Sequence, residues 1–123
     1  MPLEEQMGDI SIDHNVVGTI AAVAAQEVPG VVCVAGIRSL REMLGKKDPV
    51  KGVKVDIEEN RAIIDMEVKI EFGLNMYDSA HELQRRVKAN VERMTGLIVE
   101  KVNVKINGII IHDKKERPAP PES

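Results

Sequence analysis

Three histidines, a single cysteine and a charged stretch of helix are the places where this sequence could hold chemistry. A structural or catalytic metal site needs His, Cys or carboxylate ligands that converge, and such ligands usually recur a few residues apart. His14, His81 and His112 are widely separated, and none stands at ligand spacing from another histidine or from Cys33. Cys33 lies in the apolar run Val31-Val32-Cys33-Val34-Ala35, where a thiol reads as a small buried hydrophobe. A nucleophilic thiol would need an activating base, and no His or Asp partner is recognisable in its sequence context. His81-Glu82 stands beside Gln84-Arg85, but immediate neighbours on a helix do not point together, so these read as solvated helix residues. Gly30, Gly36, Gly45 and Gly52 are irregularly spaced, and no strand is followed by the Gly-Lys-Ser/Thr of a phosphate loop. Arg85, Arg86 and Lys88 form a small basic patch, with Glu82 and Glu92 one turn away, which reads as salt-bridge lacing before anion binding. The residues therefore point to no catalytic site, no metal and no cofactor.

The composition bounds what remains. A chain of 123 residues suffices for one domain with one ordinary core. Hydrophobic residues at 43% and charged residues at 30% are a globular balance. With one Phe, one Tyr and no Trp, the core must be aliphatic, and aromatic stacking is unavailable for recognising bases. A formal charge of −3 and a pI near 5.6 give no basic surplus, so DNA is not expected as a partner and RNA is disfavoured. The acidic opening residues form no secretory leader, and no apolar run approaches the roughly 20 residues of a spanning helix. Any membrane contact would be peripheral or through a partner.

Periodicity supplies the elements. Residues 8–12 alternate like a short strand, and Asp13 is placed to cap a helix running to about Val28. Pro29-Gly30 ends that helix, and residues 31–35 read as a strand. Ile37, Leu40, Met43 and Leu44 have helical spacing inside an otherwise irregular insert, residues 36–50. Val53, Val55 and Ile57, then Ile64, Met66, Val68, Ile70 and Phe72, alternate with charged residues as a hairpin turning near Asn60-Arg61. A second helix spans about 76–95, with Met76, Ala80, Leu83, Val87, Val91 and Met94 in one stripe, Asn75 or Asp78 as cap and Gly96 at its end. Val102, Val104 and Ile106 mark a last strand, which Gly108 interrupts at a bulge. The expected architecture is a two-layer α+β domain in the order β-α-β-β-β-α-β. Its largely antiparallel sheet of four to five strands carries two helices on one face. Residues 1–7 are expected to be a flexible start, 8–111 the domain, and 112–123 a disordered tail.

Two surfaces draw attention. Helix 1 has no charged residue between Asn15 and Gln26, and a helix apolar on every side must be buried on every side. Either it is central in its layer, or Gly18, Ala21, Ala22, Ala24 and Ala25 form a self-association surface. The second is a candidate partner surface of Ile37, Leu40, Arg41 and Leu44 from the insert, together with Arg85 and Arg86.

Read in order, several stretches resemble the alkaline shock (envelope stress) protein family. They are Gly8-Asp-Ile-Ser-Ile12, Glu27-Val-Pro-Gly-Val31, Lys51-Gly-Val-Lys-Val55, Ile70-Glu-Phe-Gly73, Leu83-Gln-Arg-Arg-Val87, Met94-Thr-Gly-Leu97 and Val102-Asn-Val-Lys-Ile106-Asn-Gly108. The resemblance runs from about Gly8 to Ile111; Phe72 stands where the family often has Tyr. It implies a bacterial cytoplasmic protein of cell-envelope homeostasis that is no enzyme. Such a protein would self-associate and dock on a membrane-anchoring partner, at the inner face of the membrane. The alternative it leaves open is a regulatory module acting on a lipid-synthesis enzyme or on RNA. The resemblance carries no catalytic residues, and its recurring glycines, Gly30, Gly73, Gly96 and Gly108, read as backbone-geometry positions.

Overall fold

The computed structural model describes residues 7–33 and 52–111. Helix α1 (His14–Gln26) leads through a turn to strand β1 (Val31–Cys33). Strands β2 (Val53–Glu58) and β3 (Arg61–Glu71), helix α2 (Met76–Thr95) and strand β4 (Ile98–Ile110) follow. This is the two-layer α+β fold that the periodicity implies, with both helices on one face of a four-stranded sheet. Residues 8–12 differ from expectation: they form no ladder. Ile12 is partly buried against the core while Ile10 is 94% exposed, so the two alternating isoleucines do not share one buried face.

β3 organises the sheet because its alternation is the longest and cleanest. Ala62, Ile64, Met66, Val68 and Ile70 are buried on the helix side, and the residues between them face outward. One edge of β3 carries β4 along its whole length, in parallel, as a connection through a helix allows. The other edge is shared end to end by two antiparallel strands: β2 pairs with residues 61–66 and β1 with residues 68–70. Two of the three pairings are thus antiparallel. The hairpin turn falls at Glu59-Asn60, one residue before the expected place, because Glu58 pairs with Arg61. β4 carries two irregularities, with Glu100 and Asn107 each left outside the one-to-one register.

The core is aliphatic throughout. Leu83, Val87 and Val91 of α2, Val17 with the alanines of α1, and Ile64, Met66, Val68 and Ile70 of β3 form one cluster. Asp13 occupies the N-cap of α1 without a side-chain cap bond, whereas the Asn75 side chain accepts from the Asp78 N–H at 2.9 Å. Gly96 ends α2 at φ 80°, the left-handed cap. Met94, expected in the apolar stripe, is 64% exposed.

Candidate interaction surface

The small residues of α1 do not form a surface. Ala21, Ala22 and Ala25 are fully buried, Ala24 is 1% exposed, and Gly18 is buried with them. They are enclosed on one side by the sheet and on the other by α2. Residues without bulk let a helix sit close to two neighbours at once, and this helix has two. The apolar residues that α1 shows to solvent are Val16 at 48% and Val23 at 47%, two turns apart, with part-buried Thr19 and Ile20 between them. That outward stripe carries no charged residue.

The candidate partner surface divides differently. Ile37, Leu40, Arg41 and Leu44 lie outside the described residues. Arg86 is engaged within the fold: its Nε donates to Glu82 at 2.8 Å, and its guanidinium reaches the Glu27 carboxylate at 3.7 Å, tying α2 to the end of α1. Arg85 donates to the same Glu82 at 2.9 Å and is otherwise exposed. The two guanidiniums, Arg86 foremost, hold the Glu82 carboxyl below the usual range. Gly30, Gly73 and Gly96 all take positive φ, as backbone-geometry positions do. Gly108 does not; it faces Lys69 across the second irregularity of β4, where an added Cβ would meet the Lys69 side chain at 3.2 Å.

The outer face of the sheet is polar and laced across β3 and β4. Arg61 pairs with Glu100 at 2.8 Å, Asn103 donates to Asp65 at 2.8 Å, and Asn107 donates to Glu67 at 2.9 Å. Lys101 and Lys105 lie on this face and form no ion pair among the described residues.

The free edge of β4 was not legible in the sequence. Backbone groups of a strand alternate between its two edges, and an unpaired edge exposes a row of donors and acceptors. Ile98 donates to Asn60 and Ile110 accepts from Phe72, so both face inward to the hairpin and β3. Val99 faces the free edge, where α2 side chains satisfy both of its groups. The Glu92 carboxylate accepts its N–H at 2.8 Å, and the Lys88 ammonium donates to its C=O at 2.7 Å. Gln84 donates to the C=O of Val102 at 3.0 Å. Gln84, Lys88 and Glu92 stand four residues apart on α2, each next in sequence to a core residue of the stripe Leu83, Val87, Val91. The Val99 N–H, then Lys88, hold the Glu92 carboxyl below the usual range.

Beyond Val102 the caps stop. The alternation puts the N–H and C=O of Val104 and Ile106 on the same free edge, where no described residue bonds them. Beside that open stretch is a groove of about 390 Å³ lined by Met76, Tyr77, Ala80, His81, Gln84, Val104 and Ile106. Tyr77 is 76% exposed and stacks on His81, with ring centroids 5.7 Å apart. Among the described residues no group of three His, Cys, Asp or Glu could hold a metal ion, and no helix is long and apolar enough to cross a membrane.

Comparison with known proteins places this geometry in context. Residues 2–111 match the alkaline shock protein 23 family, described as having a cell envelope-related function. The protein YloU of Bacillus subtilis (strain 168) is 31% identical over 111 residues, covering 87% of this chain and 92% of its own. YqhY of the same strain is 30% identical over 115 residues, covering 92% of this chain and 85% of its own. A stress response regulator gls24 homolog of Streptococcus pyogenes serotype M3 is 28% identical over 102 residues, covering 80% of this chain but 57% of its own. Among solved structures, the MamM CTD E289H nickel form aligns at a TM-score of 0.45 and 18% identity, covering 80% of this chain and 98% of that one.

Proposed function

The chain belongs to the alkaline shock protein 23 family, and from that premise we propose that it is a non-enzymatic interaction protein of cell-envelope stress homeostasis, which self-associates and docks on a membrane-anchored partner. The observation that carries this reading is the match to a family of cell envelope-related function over residues 2–111, nearly the whole chain. The charge-free outward stripe of α1, Val16 to Val23, supports self-association, since apolar patches left on a surface favour contact. The groups on the β4 edge that no described residue engages support binding of another chain. The insert residues Ile37, Leu40, Arg41 and Leu44, with the exposed Arg85, belong to the same proposal as a partner surface. No DNA, RNA, metal or cofactor has a part in it, and the protein works in the cytoplasm, at the inner face of the membrane when bound to its anchor.

Affinity capture followed by mass spectrometry, run separately on membrane and soluble fractions, tests it. Reproducible recovery of an integral membrane protein from the membrane fraction is the expected result. Recovery of a lipid-synthesis enzyme from the soluble fraction alone would replace it with a regulatory role.

A further inference from the structure

We propose that the open half of the β4 edge, Val104 to Ile106, receives an extended segment of another protein as an added strand, one that alternates apolar and acidic residues. The proposal rests on the reading of the chain as an interaction protein and says where and what it binds.

The edge is treated in two ways along one strand. Over its first half, Glu92, Lys88 and Gln84 occupy the Val99 N–H, the Val99 C=O and the Val102 C=O as a neighbouring strand would. Side chains that satisfy an edge also close it to pairing. Over its second half the same backbone alternation continues, but the donors and acceptors of Val104 and Ile106 have no partner among the described residues. A strand added there would gain main-chain hydrogen bonds, and its alternate side chains would find distinct surroundings on the two faces. On the helix side lies the groove between Met76, Tyr77, Ala80 and the side chains of Val104 and Ile106, which takes an apolar residue. On the outer side stand Lys101 and Lys105, both exposed and unpaired among the described residues, which take carboxylates. The occupant is thus read from hydrogen-bonding capacity, an apolar slot and charge together. Pairing with a second copy in the register that sets Val104 against Ile106 would place the two Lys105 side chains opposite each other, which counts against that arrangement.

The test uses the full chain and a short synthetic peptide alternating valine and glutamate. The expected result is binding that shifts amide resonances at residues 104–109 and 76–84 and slows exchange of the Val104 and Ile106 amides, leaving Val99 unchanged. Methylating alternate amide nitrogens of the peptide removes the strand donors and should weaken binding by about tenfold or more. Lys101→Glu with Lys105→Glu should weaken the valine–glutamate peptide by about tenfold and admit a valine–lysine peptide instead, a swap that a damaged fold would not produce. Equal affinity for the methylated peptide, shifts mapping elsewhere, or no binding at millimolar peptide would overturn the proposal. So would protected Val104 and Ile106 amides in a dimer of the chain alone, which would give the edge to a second copy. Capture of a membrane partner that survives the double lysine variant would remove this site while leaving the broader function standing. Peptide binding without any captured partner would do the reverse.

Discussion

Two residues illustrate how local physics decides tolerance. Gly30 and Gly96 both sit in the left-handed region, at φ 78° and 80°, where any residue with a Cβ costs about 1–2 kcal/mol. Around Gly96 an added Cβ would meet nothing within 4 Å, so Gly96→Ala should cost only that conformational term. At Gly30 the added Cβ would meet Leu74 Cδ1, the far end of a flexible side chain that is 41% exposed and able to turn aside, so Gly30→Ala should cost about the same as Gly96→Ala. Chemical denaturation of both variants checks this; a much larger loss at Gly30 would show that Leu74 is held in place. Glu92 supplies a pH signature at the same scale. Its carboxyl is held low by the Val99 N–H first and by Lys88 second, so the folded state binds its proton less readily than the unfolded chain. The stability it contributes is complete above the ordinary glutamate range, about 4.3, and is lost as the pH falls through the depressed folded value. Glu92→Gln should flatten that acid limb in unfolding curves measured across the range; an identical limb would assign the effect to other carboxylates such as Glu82.

At the scale of elements, β1 and β2 behave as one strand cut in two. Glu71 donates to Gly30 and Glu67 donates to Gly52, each at 2.9 Å, and Cys33 pairs with Val68 while Val53 pairs with Met66. Gly52 therefore stands opposite Glu67, next along β3 after Cys33, but at φ 80° it turns into β2 rather than running extended, while Val31, Cys33, Val53, Val55 and Ile57 keep one alternation. The same elements show what sequence can carry. β3, α2 and the Gly96 cap are legible because each is written in local periodicity and turn chemistry. The edge caps are not, because Gln84, Lys88 and Glu92 look like an ordinary polar stripe beside Leu83, Val87 and Val91. Their meaning depends on which strand comes to lie beneath them.

For the whole molecule, the composition of α1 left two outcomes, and burial separates them. A helix free of charge from Asn15 to Gln26 is equally consistent with a core position and with an interface. Here the small residues are used up inside the protomer, and what remains outside is Val16 and Val23, each about half exposed. If the protein self-associates through this stripe, Val16→Glu with Val23→Glu should lower the mass seen by light scattering toward that of one chain of 13.6 kDa. Exposed positions tolerate the change, so the thermal transition should hardly move. Ala22→Glu has the opposite expectation. It would place a carboxylate at a fully buried position, at a cost of several kcal/mol against a typical total stability of about 5–15 kcal/mol, and should unfold the chain before it informs on assembly. Light scattering and circular dichroism on both variants separate interface from core. Oligomers that persist with Val16 and Val23 charged would move self-association away from α1 altogether.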